Sequence, residues 1–279
     1  MYQIVKKRVL NPTVTLMEIS APHIAKKALP GQFIILRIDE AGERIPLTVA
    51  GYDREAGTIT IIFQKVGYTT NRLDDLAEGD SLLDFVGPLG VASEFDDMKK
   101  VAVIGGGLGV AIAYPQAKAL HDLGAQVDLI VGFKTKDLII LEEELAAAST
   151  ELTVMTDDGS NGRPGFVTVA LAEKLNAGQE YDTVIAIGPL LMMKAVCNLT
   201  KESGIHTIVS MNSTMIDGTG MCGCCRLTVG GKTKFACVDG PDFDGHQVDF
   251  AEAIARSRMF HKEEAASIEH HCRLTGGEK

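Results

Sequence analysis

The chain has 279 residues, 46% of them hydrophobic and 23% charged, with a formal net charge of -10. That length suffices for two units with cores of their own, and the acidic balance argues against general binding to nucleic acid or anionic membranes. No apolar run reaches the length of a bilayer span, tryptophan is absent and only 5% of residues are aromatic, so neither a membrane anchor nor a base-stacking platform is expected. The opening stretch MYQIVKKRVL has no apolar signal core, and a cytoplasmic location is the expectation.

Taken in chain order, the first hundred residues read as short strands. VTLMEIS, GQFIILRID, TITIIFQKV and DSLLDFVG each mix β-branched and apolar residues, and Gly, Pro and Asp punctuate them. This spacing predicts an antiparallel β-barrel over residues 1–97. From Lys100 the texture changes. VAVIG, QVDLIVGF, LTVMTDD, TVIAIG and HTIVSM read as buried strands, and the stretches LIILEEELAAAS and GFVTVALAEKL between them read as helices. The alternation predicts a parallel sheet with crossover helices over residues 98–211, a Rossmann-like α/β unit. Residues 212–250 are rich in Gly, Cys, Asp and Thr without periodicity, and residues 251–279 read as a closing helix.

Two features carry chemistry. The first is the turn Gly105-Gly106-Gly107-Leu108-Gly109, which joins a strand to a helix. Glycines there permit a tight turn and close approach of backbone N–H groups to a phosphate, which the helix N-terminus also favours. Alone, the run reads equally as a plain structural turn. Gly188-Pro189 and Asp157-Asp158-Gly159 end two other strands at the same edge of the sheet, where ligands of such sheets bind.

The second feature is the cysteine segment IDGTGMCGCCRLTVGGKTKFACVDG. Thiolates suit soft metals, so iron–sulfur and zinc are the candidates. Cys222 and Cys225 have C-x2-C spacing, and Cys237 follows a predicted hairpin. A plant-type [2Fe-2S] loop has C-x4-C-x2-C and a distant fourth cysteine; the first of those positions holds Asp217. One ligand set is Cys222, Cys224, Cys225 and Cys237. The other, preferred here, is Asp217, Cys222, Cys225 and Cys237, because the intervening glycines suit a cluster-wrapping loop and adjacent Cys224 and Cys225 tend to point apart. Of the remaining cysteines, Cys197 reads as a small buried hydrophobe, and Cys272 beside His270 and His271 as part of a frayed helix end.

Together these motifs resemble the ferredoxin reductase-like superfamily. Within it they resemble the iron–sulfur electron-transfer subunits that partner dihydroorotate dehydrogenase, and more narrowly the small subunits of bifurcating NADH-dependent ferredoxin:NADP transhydrogenases. Arg44-Ile45-Pro46-Leu47-Thr48 looks like the R-x-P-L-[ST] flavin motif. The resemblance implies that Arg44 meets an FAD pyrophosphate and that Thr48 lies near the isoalloxazine. Ile62, Phe63 and Gln64 would run along the flavin, with Gln64 standing where arginine is frequent. Gly67-Tyr68-Thr69-Thr70 resembles the G-x-G-T phosphate turn, with Thr69 in place of the second glycine. Thr156-Asp157-Asp158-Gly159-Ser160 and Gly188-Pro189 resemble the nicotinamide-site motifs. Aspartate at the first cluster position, as Asp217 here, favours the transhydrogenase branch.

The function this implies is an oxidoreductase subunit carrying FAD and a [2Fe-2S] cluster. It would exchange hydride with NAD(H) and single electrons with a larger flavoprotein and iron–sulfur partner in a heterodimer. In the resembled complex that partner handles NADPH and ferredoxin. No side chain is nominated as a catalytic acid or base. The alternatives are the electron-transfer subunit of a dihydroorotate or sulfide dehydrogenase, and a zinc-stabilised nucleotide-sensing protein without redox work.

Overall fold

The computed structural model describes residues 1–267. Seven strands build the first sheet: β1 (Tyr2–Asn11), β2 (Val14–Ser20), β3 (Phe33–Arg37), β4 (Ile45–Asp53), β5 (Thr58–Gln64), β6 (Ser81–Leu82) and β7 (Asp84–Leu89). Their order is β6-β1-β2-β5-β4-β3-β7, and every pairing is antiparallel. The two edge strands, β6 and β7, are separated by Leu83 alone, so the sheet curls until its edges meet at one point of the chain. The barrel thus expected forms, with one difference. DSLLDFVG is two strands on opposite edges, because the Leu83 N–H turns aside to the carbonyls of Arg37 and Ile38.

Period-two alternation fills the barrel. Ile59, Ile61 and Phe63 of β5 join Ile34 and Leu36 of β3 and Val49 of β4 in its core, each 3% exposed or less. Two short helices attach to it, α1 (Pro22–Ala25) and α2 (Tyr68–Asp75).

The second sheet comprises β8 (Lys100–Gly106), β9 (Gln126–Phe133), β10 (Glu151–Thr156), β11 (Thr183–Ile187) and β12 (His206–Ser210), all parallel, in the order β10-β9-β8-β11-β12. Between these strands run α3 (Gly109–Asp122), α4 (Glu142–Ala147), α5 (Val167–Asn176) and α6 (Leu190–Glu202). The helix expected over 138–149 is only α4, preceded by a 3-10 turn at Lys136–Leu138. Leu141 takes a left-handed conformation (φ 57°) and buries its side chain, which ends any continuous helix there.

Past the parallel strands come the hairpin β13 (Arg226–Val229) and β14 (Lys232–Phe235), then β15 (Asp242–Asp244) and α7 (Phe250–Ser257). β15 adds to the edge of the parallel sheet, antiparallel to β12. The last described residues make a turn at 258–260 and a helical stretch at 261–267, so the long closing helix is interrupted. His270, His271 and Cys272 lie outside the described residues. No helix among the described residues is long and apolar enough to cross a membrane.

Two glycines in the first strand-to-helix turn serve packing. A Cβ on Gly109 would stand 2.4 Å from the Ile187 carbonyl oxygen, and one on Gly106 would stand 2.4 Å from Met192 Sδ. Gly109→Ala therefore drives α3 off β11 and costs about 1–3 kcal/mol of stability, read as a lower urea midpoint. Gly107→Ala also forces a residue at φ 55°, but a Cβ there meets nothing within 4 Å, so its loss is the smaller of the two.

Candidate functional site

Strands β3 to β5 present their second face outward, and two neighbouring cores share it. On β3, Phe33 and Ile35 pack into the apolar core that contains Cys225 and Cys237. On β5, Ile62 joins Ala50 of β4 in the core under α3. Between them lie Pro46 and Thr48 of β4, half-buried and paired to Ile35 and Phe33. Alternation puts Gln64 on this same face, whereas Leu47 and Phe63 point into the barrel. Any ligand along Phe63 meets its backbone, since the ring is fully buried.

Arg44 precedes β4 and is exposed; its guanidinium lies 3.7 Å from Asp84 Oδ2, which Arg37 also holds at 2.7 Å. Gly67 leads into α2, whose first N–H groups have no partner within the helix. Here Thr70 Oγ1 accepts from the Gly67 N–H at 3.0 Å, and the Thr69 hydroxyl donates to Glu43 Oε2 at 2.8 Å. A carboxylate thus sits at the helix start where a phosphate is expected. Sequence reading passed over Glu43, though it adjoins Arg44.

At the carboxyl edge of the parallel sheet, the turns after β8 and β11 touch, while the turn after β10 lies beside the end of β9, where the Asp157 and Asp158 N–H groups donate to the Phe133 and Lys134 carbonyls. Gly106 and Gly109 press against Pro189, Ile187 and Gly188, and Gly107 donates to the Gly132 carbonyl at 2.8 Å. Asp157 and Asp158 are exposed. The Asp158 carboxylate accepts from the Ser160 hydroxyl at 2.6 Å and its N–H at 3.0 Å, which holds the carboxyl below its usual range. Asn161, not singled out from sequence, pins the loop by donating to the Val154 carbonyl and accepting from the Thr156 hydroxyl.

The cysteine loop winds through Gly218, Gly220 and Gly223, all at positive φ. Gly218 is obligatory, because a Cβ there would lie 2.7 Å from Ile35 Cδ1 and 2.8 Å from Leu89 Cδ1. The loop is therefore seated directly on the outward face of β3 and β7. Cys225 and Cys237 are buried with their sulfurs 3.2 Å apart. Two sulfurs on one tetrahedral metal with bonds of about 2.3 Å stand about 3.8 Å apart, so this pair fits one iron after a small opening. Burial and the neighbouring Cys225 push the Cys237 thiol well up, which a bound metal reverses by displacing the proton.

Asp217 Oδ1 accepts from the Thr219 N–H and Oδ2 from the Cys222 N–H, each at 2.7 Å. The Thr219 N–H chiefly holds its carboxyl below the usual range, so it is ionised at neutral pH, as a ligand must be. Cys222 is exposed beside it, and Cys224 is half-buried with its thiol raised by burial and by Cys222. Among the described residues no three His, Cys, Asp or Glu side chains converge on one point. The loop presents one preformed pair, Cys225 and Cys237, with Asp217 and Cys222 adjoining each other. Two iron atoms, each held by two protein ligands, ask for that partition.

A curled antiparallel barrel followed by this parallel sheet is the ferredoxin-reductase fold. A ferredoxin reductase of a carbazole 1,9a-dioxygenase shares it at 20% identity, with a TM-score of 0.62 over 73% of this chain and 65% of that one. The family model for the iron–sulfur cluster binding domain of dihydroorotate dehydrogenase B matches residues 212–249, and that for the oxidoreductase NAD-binding domain matches residues 103–198. The dihydroorotate dehydrogenase B electron transfer subunit homolog of Thermotoga maritima is 44% identical over 98% of this chain and 96% of its own. The electron transfer subunit of Clostridium perfringens is 32% identical over 79% and 87%. A chain from the NADH-dependent reduced ferredoxin-NADP oxidoreductase structure, described in terms of flavin-based electron bifurcation, superposes with a TM-score of 0.92 at 42% identity over 97% and 98%. The chain belongs to the family of dihydroorotate dehydrogenase B-type electron-transfer subunits, and it is an oxidoreductase subunit.

The short Cys225–Cys237 approach predicts that mild oxidation of metal-free protein joins these two residues. Peptide mapping should find that disulfide, and loading with iron and sulfide should protect both thiols.

Proposed function

We propose that this subunit holds one FAD and one [2Fe-2S] cluster and carries electrons between NAD(H) and a larger flavoprotein subunit, as in electron-bifurcating NADH-dependent ferredoxin:NADP oxidoreductase. The observation that carries the reading is the shared outward face of β3 to β5. Pro46 and Thr48 lie between the cysteine loop on one side and α3, with its Gly-rich turn, on the other. A flavin laid on that face stands between the dinucleotide edge and the cluster loop, the order that electron transfer needs.

When bound, the flavin accepts a hydride pair and releases electrons singly, and the cluster takes one at a time. The chain's own residues bind and orient. Arg44, now beside Asp84, would hold a pyrophosphate oxygen, where its fork suits paired anionic oxygens. The α2 start, with Gly67, Thr69 and Thr70, offers N–H and hydroxyl donors once Glu43 withdraws. Thr48 and Gln64 face the isoalloxazine, with the backbone of Ile62 and Phe63 alongside. Gly106, Gly107 and Gly109, with Gly188 and Pro189, line the dinucleotide edge. Asp157, Asp158 and Gly159 would lie near the nicotinamide. Asp217 and Cys222 would hold one iron, and Cys225 and Cys237 the other.

Around the loop, Met221 is 87% exposed, and Ile216 and Val238 are also exposed. Apolar side chains in contact with water at the rim of an electron-carrying loop mark the surface a partner covers. Met221→Asp should weaken association with the larger subunit about tenfold, about 1.4 kcal/mol, and leave the visible spectrum of the subunit unchanged.

The reading is tested by the absorption spectrum and the flavin, iron and sulfide content of purified protein. About one FAD, two irons and two sulfides per chain are expected. Anaerobic NADH should bleach the flavin band and produce the paramagnetic signal of a reduced cluster. Cys225→Ser and Cys237→Ser should lose iron, Cys224→Ser should keep it, and Asp217→Cys should keep it with a shifted potential. A colourless, zinc-loaded protein refutes the redox reading.

A further inference from the structure

Between Cys222 and Cys225, two successive carbonyls are taken up by arginines. The Gly223 carbonyl accepts from Arg226 Nη1 at 3.2 Å, and the Cys224 carbonyl accepts from Arg256 Nη2 at 2.9 Å. Both peptides are trans, and a trans peptide points its N–H opposite to its C=O. The Cys224 and Cys225 N–H groups therefore face away from the guanidinium groups.

The two arginines differ in how firmly they are held. Arg226 is exposed and reaches back only to its own turn. Arg256 is half-buried and comes from the last turn of α7. That helix is tied to the hairpin that follows Cys225. The Asp249 N–H donates to the Thr228 carbonyl at 2.9 Å, and Glu252 Oε2 accepts from the Thr228 N–H at 2.9 Å. Phe250 and Ala253 are buried in the same core as Cys225, Leu227 and Cys237. Arg256 follows Ala253 by three residues, so it stands beside the buried face of the helix.

The charge of Arg256 is not neutralised within the chain. Glu252, four residues before it, is the position from which a helical ion pair is made, but its carboxylate is turned to Thr228. Among the described residues no carboxylate lies within 4 Å of the Arg256 guanidinium. Partial burial of a guanidinium against a neutral carbonyl costs solvation that a negative partner would offset. A ligand set of three thiolates and one carboxylate on the same loop supplies that negative charge.

We infer that Arg256 is a positioning residue for the cluster: its hydrogen bond orients the turn before Cys225, and its unpaired charge raises the cluster's reduction potential. The inference rests on the proposed function, since the loop must hold a [2Fe-2S] cluster. One electron, delivered by the flavin in the working protein, adds one unit of negative charge to the cluster. A fixed positive charge beside it stabilises the reduced state more than the oxidised state, and partial burial limits screening by salt. Arg256 thereby favours passage of the electron from flavin to cluster.

The test is a potentiometric titration of the cofactor-loaded chain with dithionite, followed by the paramagnetic signal of the reduced cluster, after iron and sulfide have been counted. In Arg256→Gln the ratio of reduced to oxidised cluster at a given potential should fall about tenfold, a downward shift of about 59 mV for one electron. Arg256→Lys keeps the charge and should stay within about threefold of wild type. Arg258→Gln removes the same charge from an exposed side chain two residues on, and should also stay within about threefold. Equal potentials in wild type and Arg256→Gln overturn the inference, as does an equal fall in Arg256→Lys and Arg256→Gln. Loss of iron from both Arg256 variants overturns it too, since the residue is then a structural clamp only. A wild-type chain without iron and sulfide refutes the proposed function itself, and this inference with it.

Discussion

Strand β3 has no face turned to solvent. Ile34 and Leu36 fill the barrel, while Phe33 and Ile35 fill the core shared with Cys225 and Cys237. At about 25 cal/mol per Å² of apolar surface, covering both faces of a strand stabilises the assembly of units as well as the barrel itself. The cysteine loop is held against Ile35 by the absence of a side chain at Gly218, and its distance from the barrel is set by van der Waals contact. The separation between the outward face of β3 and the cysteine loop is thus fixed by packing. Electron transfer over a set distance needs that rigidity more than it needs any acid or base.

Glycine has two distinct uses in this chain. Gly106 and Gly109 allow β8 and α3 to touch the turn after β11, where a Cβ would collide with backbone or with Met192. Gly107, by contrast, has open space around it. The run that looks like a phosphate cradle is therefore first a packing device that draws two turns to one edge. Ligand approach follows from that convergence.

The carboxylates show a similar division. Glu43 occupies a helix start, Asp217 caps two N–H groups of its own loop, and Asp242 is sealed among three parts of the chain. Each is placed where a positive or hydrogen-donating partner is wanted. The first two yield to cofactors under the proposed function. Asp242 remains outside it, with an acceptor unpaired.

The order of strands and helices, the parallel sheet and the cysteine module were legible in the sequence, because they follow from local periodicity and from the spacing of Gly and Cys. Several strands were read to within a residue or two, such as Val14–Ser20 and Gln126–Phe133. The break at Leu141 was not legible, since nothing local distinguishes a leucine that turns left-handed to bury itself. Neither was β15, whose three residues have no pattern of their own and become a strand only because the edge of β12 offers hydrogen bonds. The candidate ligands could be named from spacing, but that Cys225 and Cys237 form the close pair depends on the β13–β14 hairpin, which returns the chain. The meeting of Ser93, Gln116 and Asp242 spans up to 149 residues of sequence. Composition and spacing determine which elements form and which chemistry is available; only the packing of one unit's outer face against the others decides which distant side chains share a site.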